Sequence, residues 1–265
     1  MSVLSRLRVE PGQAANLAER DAGARLGLDR SRALDADLAE LRALQDRLWA
    51  ERRHSLLMIL QGTDAAGKDS TIRHVFTGLN PHGCRVEDFS QPSSTELAHD
   101  YLWRVHAKCP SHGQIGIWNR SHYEDVIAVR VHRLEPAAVW RRRYRHIREF
   151  ERMLADEGTA IVKILLHISR AEQAKRLQKR IADPTKRWKF TPEDVDDRRR
   201  FDDIEAAYEQ AITKTSTAWA PWYVVPADHR WVRNAVITQL LLETLRDLQP
   251  EYPKAFVDLS QIEIV

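Results

Sequence analysis

The sequence predicts an α/β fold of three layers, in which a parallel sheet is flanked by helices and a helical lid is added. Short apolar runs of strand length alternate with longer segments that repeat apolar residues at helical spacing. Strands that alternate with helices along a chain favour a parallel sheet with helices on both faces. Towards the C-terminus, a highly charged helical region is interrupted by prolines, which is typical of a mobile flap.

Length and composition fit either one large α/β domain or one domain with a small appendage. The chain has 265 residues, of which 43% are hydrophobic and 30% are charged, so it can bury a sizeable core under a polar surface. Lys and Arg number 41 against 38 Asp and Glu, and the net charge of +3 is too small to identify a polyanion partner by itself. We expect an N-terminal arm over residues 1–30, a core domain over 31–250 with its lid at about 171–205, and a C-terminal tail over 251–265.

Cysteine usage and the N-terminal segment both favour a reducing compartment. The two cysteines, Cys84 and Cys109, form no CxxC pair, so neither a disulfide framework nor a structural zinc site is expected. The N-terminal residues lack the apolar stretch of a signal peptide, and no segment has the length and apolarity of a membrane span. The prediction is a cytoplasmic protein with no membrane partner.

The first elements can be placed from apolar spacing and turn residues. A helix is expected where leucines recur every three or four positions between 34 and 48. The apolar run 56–60 is typical of a buried parallel strand. A helix over about 67–79 follows, an NPHG turn breaks it, and 84–90 is predicted as a second strand.

The later elements follow from the same signals. Residues 92–108 begin with a Pro-Ser-Ser-Thr capping signal and are predicted as one helix, before a short buried strand over 113–118. The C-terminal elements are predicted as a helix over 136–157, a strand over 161–169, a charged helical region over 171–212 that breaks near Asp183-Pro184, a strand over 222–228 and a helix over 231–248.

Residues Gly62 to Lys68 read GTDAAGK and match the spacing GxxxxGK of a phosphate-binding loop. Glycines allow the tight turn in which successive N–H groups face phosphate oxygens. The start of the following helix adds a partial positive charge, and Lys68 adds a full charge on a flexible stem. Four of the ten glycines lie between Gly62 and Gly83. The pattern therefore predicts a phosphate site, and the alternative is a plain turn from strand to helix.

Two carboxylates depart from the usual loop. Asp69 follows Lys68 where such loops carry a Ser or Thr whose hydroxyl binds Mg²⁺, and Asp64 lies inside the loop itself. A carboxylate in an anion-binding loop is unfavourable unless a metal or a cation neutralises it. We therefore expect Asp64 to face Mg²⁺ or an incoming phosphate acceptor, and the alternative is that it caps the helix.

A second polar motif follows the predicted strand 113–118. It contains Asn119, Arg120, Glu124 and Asp125 and comes at the carboxyl end of the strand, where open parallel sheets place their ligands. Arg120 can bind phosphate through two hydrogen bonds. The two acids can hold a metal or orient an acceptor, and the alternative is that they only cap the following helix.

Two stretches of the chain are strongly basic. Residues 175–200 hold ten Lys or Arg against five Asp or Glu, with Trp188 in the proline-containing interruption. Residues 141–148 hold five arginines. A run of charges is usually only a solvated face, and this alternative applies to both stretches. A basic flap beside a phosphate loop nevertheless favours an extended polyanion as ligand.

These motifs resemble the polyphosphate kinase 2 family. GTDAAGKDSTIRHV is similar to its Walker A region, IGIWNRSHYEDV to its Walker B region and KRLQKRIADPTKRWKFTPEDV to its lid, in the same order, within about residues 30–250. The resemblance implies a P-loop kinase core with a helical lid that transfers the terminal phosphoryl group of inorganic polyphosphate to a nucleotide, with Mg²⁺ or Mn²⁺. NRSHYEDV, in place of a DRSWYNR-type stretch, resembles the subgroup that phosphorylates AMP as well as ADP.

The resemblance also implies roles for individual residues. The residues implied as catalytic are Asp64, Lys68, Arg120, Glu124 and Asp125, with the metal assigned to Asp64 and Asp125. Phosphate or polyphosphate binding is implied for Gly62, Ala65, Ala66, Gly67, Lys68, Asp69, Arg120, Arg176, Arg180, Lys186 and Lys189. Nucleotide binding is implied for Asp64, Asn119, Arg120 and Glu124. Asn119 replaces the commoner Asp. The carboxylate that binds the metal together with Asp64 is therefore either Glu124 or Asp125. The family is commonly oligomeric, which implies a homodimer or homotetramer.

Two other functions are compatible with the same residues. An ATP-dependent nucleoside or nucleotide monophosphate kinase on this core would accept ATP as its sole donor. A basic nucleic-acid-binding protein would bind RNA or DNA in a salt-sensitive way even without Lys68. The near-neutral net charge and the acids beside the loop disfavour that function, so no nucleic acid partner is expected. The choice between adenine and guanine nucleotides stays open, because it depends on pocket geometry.

Overall fold

A single sheet organises the part of the chain that the computed structural model describes, residues 2–30, 34–89 and 91–256. Its six strands are β1 (Arg8–Val9), β2 (Ser55–Gln61), β3 (Cys84–Asp88), β4 (Ile115–Asn119), β5 (Thr159–His167) and β6 (Trp222–Pro226). They lie in the order β1-β6-β5-β2-β4-β3, and every neighbouring pair is parallel except β1 with β6. The predicted parallel sheet is confirmed, with one short antiparallel strand added at its edge.

Helices cover both faces of this sheet. They are α1 (Val3–Leu7), α2 (Leu34–Glu51), α3 (Lys68–Val75), α4 (Ser94–Leu97), α5 (Trp103–His106), α6 (Ile127–Val131), α7 (Ala137–Asp156), α8 (Arg170–Ala182), α9 (Pro192–Arg199), α10 (Phe201–Thr215) and α11 (Arg230–Leu248). Alternate strand residues point to opposite faces: Leu57 and Ile59 join the core under α6, α7 and α10, whereas Met58 and Leu60 join the core under α2, α3 and α11. The predicted three-layer arrangement is therefore confirmed.

The N-terminal segment lies along the edge of the sheet. Arg8 and Val9 pair with β6, which covers an edge that would otherwise present unpaired backbone groups. The N–H groups of Asn16 and Leu17 donate to the carboxylate of Glu209 on α10, at 3.0 and 2.8 Å. The segment is thus fixed to both β6 and α10 by backbone hydrogen bonds.

The region predicted as one helix over 92–108 contains two short helices instead, so that prediction is wrong. A capping box between Ser93 and Glu96 starts α4 as expected. The carboxylate of Asp100 then accepts a hydrogen bond from the backbone N–H of Leu102 at 3.0 Å. Such a local bond offers the backbone an alternative to the helix ladder, and the chain restarts as α5 at Trp103.

Other boundaries differ from the predictions by small amounts. The strands predicted over 113–118 and 161–169 lie at Ile115–Asn119 and Thr159–His167, and α6 was not predicted. Ser90, at the end of the predicted strand 84–90, lies outside the described residues, as do residues 257–265 of the predicted tail. Within the described chain, no helix combines the length and the apolarity needed to cross a membrane.

Candidate active site

The loop between β2 and α3 has the conformation that its glycines predict. Gly62 and Gly67 have φ values of +154° and +108°, and Ala65 lies at +63°. A Cβ added at Gly62 would lie 3.1 Å from the carbonyl oxygen of Leu166, and one at Gly67 would lie 2.2 Å from Nη1 of Arg233. Both glycines are therefore required by backbone conformation and by close packing.

Lys68, the first residue of α3, folds back over the loop. Its Nζ donates to the carbonyl oxygen of Gly62 at 2.7 Å and lies 3.4 Å from that of Thr63. Burial lowers the pKa of Lys68, and the positive charge of Arg120 lowers it further, against the opposite effect of Asp64. A shielded ammonium held only by neutral carbonyls is placed to bind phosphate oxygens that enter the loop.

Asp64 and Arg120 join the two predicted motifs. Nη2 of Arg120 donates to Oδ1 of Asp64 at 3.0 Å. Burial opposes ionisation of Asp64, but the charges of Lys68 and Arg120 outweigh it and lower the pKa of that carboxyl group. Burial likewise opposes the charge on Arg120, whose pKa is raised by Glu124 and Asp64. The ends of β2 and β4 thus meet in a charged pair between the loop and the second motif, which the sequence analysis did not predict.

The lid adds a second carboxyl group to Asp64. Asp197, on α9, hydrogen-bonds to Asp64. Nε2 of His132 lies 3.3 Å from Oδ1 of Asp197. Burial, followed by the negative charge of Asp64, raises the pKa of Asp197 to about 6. Two carboxyl groups in contact share a proton unless a cation separates them. Asp197 was not predicted as a site residue, because its only signal in the sequence is an acidic PEDVDD stretch after the basic one.

Asp69, which stands in place of the usual hydroxyl, connects three segments. Its Oδ1 accepts a hydrogen bond from Nδ2 of Asn119 at 3.1 Å, and its Oδ2 lies 2.5 Å from Nζ of Lys189 in the lid. Burial would raise the pKa of Asp69, but the hydrogen bond and charge of Lys189 lower it. The carboxylate therefore ties the loop to β4 and to the lid.

The two acids of the second motif have different surroundings. Glu124 accepts a hydrogen bond from Nε2 of Gln61 at 3.2 Å, at the base of the loop. The carboxylate of Asp125 lies 3.8 Å from Arg104, and its carbonyl oxygen accepts from Arg143 at 2.7 Å. Burial raises the pKa of Asp125 to about 6, although Arg104 and Arg143 oppose this. Glu124 thus joins the loop, whereas Asp125 is turned towards arginines outside it.

The basic lid residues fall into two groups. Arg176 is 9% exposed, and its guanidinium donates at 2.6–3.2 Å to the carbonyl oxygens of Ala65, Ala66, Ala227 and Asp228. Arg180 binds Asp194 on α9 at 3.1 Å, and Lys186 pairs with Asp183. These three cations shape the loop and the lid in this structure, whereas Lys189 reaches the site itself.

A buried network of polar side chains includes two residues of the second motif, His122 and Tyr123. Nζ of Lys163 on β5 donates to Glu151 on α7 at 2.6 Å, and the hydroxyl of Tyr123 donates to the same carboxylate at 2.8 Å. His122 lies 3.3 Å from Glu151, and the side chains of the ion pair are at most 1% exposed. The network fixes the two residues that separate Ser121 from Glu124. Its members come from three separate segments of the chain, so no local spacing in the sequence brings them together.

Comparisons with known proteins identify the family of the chain. The model of the family Polyphosphate kinase 2 matches residues 28–253. The chain is 56% identical over 214 residues to the AMP/ADP-polyphosphate phosphotransferase of Meiothermus ruber, a match covering 81% of this chain and 80% of that protein. It is 45% identical over 233 residues to the ADP-polyphosphate phosphotransferase of Rhodopseudomonas palustris, covering 83% and 81%.

A solved structure extends the likeness to the whole fold. The crystal structure of Polyphosphate Kinase 2 from Arthrobacter aurescens TC1 matches with a TM-score of 0.93 and 40% identity, covering 98% of this chain and 94% of that one. The family model, the two relatives and this structure together show the family of the chain. The chain belongs to the Polyphosphate kinase 2 family.

Proposed function

We propose that this protein transfers the terminal phosphoryl group of inorganic polyphosphate to AMP and to ADP, forming ADP and ATP in a reversible reaction. The observation that carries the proposal is the Asp64–Arg120 pair inside a phosphate loop that also contains Lys68. The relatives from Meiothermus ruber and Rhodopseudomonas palustris, named AMP/ADP- and ADP-polyphosphate phosphotransferase, support the same donor and acceptors.

The phosphate loop and Lys68 would hold the terminal phosphates of the donor. N–H groups at the start of α3 offer hydrogen bonds and a partial positive charge. Nζ of Lys68 already bonds to loop carbonyls, which phosphate oxygens would replace as stronger, charged acceptors. Phosphoryl transfer depends mainly on such positioning and charge stabilisation.

Arg120, Asp64 and Glu124 would orient the acceptor. An oxygen of its terminal phosphate bonds to the terminal phosphorus of polyphosphate, the bridging P–O bond breaks, and the polyphosphate leaves one unit shorter. The acceptor phosphate is already ionised near neutral pH, so no strong general base is required. Arg120 would neutralise charge on the acceptor, and Asp64 would fix the direction of its guanidinium.

The lid would close over the reacting groups. Lys189 bonds to Asp69 and Asp197 bonds to Asp64, so both contacts join the lid to the loop that holds the donor. A closed lid excludes water, which strengthens electrostatic interactions and limits hydrolysis. Of the predicted polyphosphate ligands in the lid, Lys189 has the best position for this role.

The residues present fit Mg²⁺, although no three His, Cys, Asp or Glu side chains in the described chain are grouped as a metal site. Magnesium is usually held by one or two carboxylates together with substrate phosphates. Asp64 and Asp197 supply such a pair, and one buried oxygen in each of the Gln61, Thr63, Asn119, Asp125 and Asp197 side chains lacks a hydrogen-bond partner. When bound, Mg²⁺ would neutralise charge on the phosphate oxygens, and Mn²⁺ shares its preference for oxygen ligands.

Asp197 fits the second metal-ligand position better than the predicted Asp125. Asp125 faces Arg104 at 3.8 Å, away from the loop, and its Oδ2 accepts no hydrogen bond, whereas Asp197 is in contact with Asp64. The homo-oligomeric state and the cytoplasmic location stay predictions from the sequence.

The proposal is tested by supplying purified protein with Mg²⁺, inorganic polyphosphate and either AMP or ADP, and by separating the nucleotides by chromatography. We expect ADP and then ATP from AMP, and ATP from ADP. ATP formed from ADP alone would remove AMP as an acceptor. Conversion of AMP only when ATP is added would favour the ATP-dependent kinase instead.

A further inference from the structure

Helix α11 carries a buried arginine directly behind the phosphate loop. Arg233 is 1% exposed, and its neighbours in the helix, Val232, Val236 and Ile237, all belong to the apolar core. A methyl group added at Gly67 would lie 2.2 Å from its Nη1. The guanidinium is therefore in direct contact with the loop, at the residue before Lys68.

All the described hydrogen-bond partners of Arg233 are neutral. Its Nε and Nη2 donate to Oδ1 of Asn234 at 3.1 and 2.9 Å, and Nη2 donates to Oγ of Ser70 at 3.2 Å. Nη1 lies 3.5 Å from the carbonyl oxygen of Ala66. No carboxylate among the described residues pairs with this guanidinium.

The other charges around Arg233 are positive. Burial, followed by the charges of Arg176 and Arg230, lowers the pKa of Arg233 to about 9, which still leaves it charged near neutral pH. A buried charge without a counter-ion is strongly unfavourable. An apolar side chain of similar volume would pack at this position without that cost, so the charge needs another explanation.

An anion in the phosphate loop supplies the missing counter-ion. The loop lies between Arg233 on one side and its ligand on the other, and Arg176 holds the same loop through the carbonyls of Ala65 and Ala66. Charges shielded from water are screened only weakly. A phosphate chain seated on the loop would therefore feel both guanidinium groups without touching them.

We propose that Arg233 is a positioning residue for the phosphate loop, and that the bound phosphate chain is the counter-ion that its guanidinium lacks in the protein. The inference rests on the proposed function, because it takes the bound anion to be inorganic polyphosphate. Arg233 would act through Gly67 and Ser70, by fixing the first turn of α3 and by attracting the anion to it.

The test is the dissociation constant for inorganic polyphosphate of one defined length, measured by calorimetry on the full chain without nucleotide. The variants are R233M, which removes the charge, and R233K, which keeps it. The matched control is R246M, because Arg246 lies on the same helix but forms a surface pair with Glu40. Melting curves identify folded variants, and R233Q replaces R233M if R233M shows no cooperative transition.

We expect R233M to bind polyphosphate about tenfold more weakly than the unsubstituted protein, which corresponds to about 1.4 kcal/mol. R233K should stay within about threefold, since it keeps the charge but not the planar fork, and R246M should bind normally. The affinity ratio between R233M and the unsubstituted protein should change little with ionic strength, because a buried charge is screened only weakly. In turnover, KM for polyphosphate should rise while KM for AMP stays unchanged.

Equal affinity of R233M and the unsubstituted protein would overturn the inference. An equal loss in R233K and R233M would also overturn it, because it would show that the shape of the side chain matters and its charge does not. Failure of the unsubstituted protein to bind polyphosphate would be a different result, since it would contradict the proposed function itself.

Discussion

Asp69 of the phosphate loop and Lys189 of the lid form an ion pair, with Oδ2 and Nζ 2.5 Å apart. Oδ1 of the same carboxylate accepts a hydrogen bond from Asn119. Three segments that are distant in the sequence therefore meet at one side chain. A Ser or Thr at this position would lack both the second oxygen and the negative charge. The unusual loop residue thus has a structural consequence, which is an ion pair that holds the lid against the loop.

Replacing Asp69 by Ser should release the lid with little loss of global stability. The side chains of Asp69 and Lys189 are 56% and 33% exposed, and pairs of this kind contribute only about 0.2–1 kcal/mol. We expect trypsin to cut the lid faster in Asp69→Ser than in the unsubstituted protein, with a similar melting temperature. Asp196→Ser, which removes an exposed pair with Arg199 inside the lid, is the control. Equal cleavage rates in all three proteins would show that the pair does not hold the lid.

Lys68→Ala should lower kcat by at least about 10²-fold, because removal of one preorganised charge from such a site costs roughly 3 kcal/mol. The lysine contacts only loop carbonyls in this structure, so the fold should survive its loss. Initial rates with polyphosphate and ADP would measure the effect. Lys175→Ala changes an exposed lysine of α8 and should retain full activity. A decrease of less than tenfold in Lys68→Ala would be incompatible with the role given to this residue.

Lys163→Met should destabilise the protein by roughly 3–5 kcal/mol, because it leaves the Glu151 carboxylate buried without its lysine counter-ion. The double variant Lys163→Met/Glu151→Leu should recover much of this loss, since an apolar pair needs no compensation. Urea denaturation followed by circular dichroism measures both changes. Arg152→Met, which disrupts an exposed pair with Asp156, should change stability by about 0.5 kcal/mol or less. A double variant as unstable as the single one would show that the hydrogen bonds to Tyr123 matter more than the charges.

Asp125 should make stability depend on pH. Its pKa is raised from 3.8 to about 6 in the folded protein, so the folded state favours the protonated form. The resulting stabilisation is complete below the unfolded pKa and is lost as pH rises through about 6. Asn cannot ionise, so Asp125→Asn does not lose stability in this way. It should be more stable than the unsubstituted protein at pH 7.5 by roughly 1–3 kcal/mol.

Urea titrations at pH 5 and pH 7.5 provide the check. The difference in unfolding free energy between Asp125→Asn and the unsubstituted protein should increase towards the higher pH. Asp156→Asn, at an exposed pair, gives the background dependence. A constant difference at both pH values would mean that Asp125 ionises normally.

The fold and the centre of the site could be predicted because their signals are local. Glycine spacing fixed the loop from Gly62 to Lys68, and apolar runs located the strands around it. The second motif could be placed at the carboxyl end of its strand in advance, because open parallel sheets bind their ligands there. The 3.0 Å contact between Arg120 and Asp64 was not predicted, and it follows from the parallel pairing of β2 with β4.

The residues that were missed depend on contacts between distant elements. Asp197 reaches Asp64 only because the lid folds back over the loop, and Arg233 reaches Gly67 only because α11 packs behind it. Neither position has a spacing or composition that distinguishes it from an ordinary charged residue. The break between α4 and α5 was not predicted for a different reason. The backbone N–H of Leu102 donates a hydrogen bond to the carboxylate of Asp100, and this local bond competes with the helical hydrogen bonds.

The central claim is that the terminal phosphoryl group of polyphosphate is transferred directly to the nucleotide. The most direct measurement follows ³²P from labelled polyphosphate after incubation with purified protein, Mg²⁺ and unlabelled AMP. We predict label in the β-phosphate of ADP and then in the γ-phosphate of ATP, with about 10²-fold less in Lys68→Ala. Label recovered only as orthophosphate, with AMP unchanged, would contradict the account and indicate hydrolysis of polyphosphate instead of transfer.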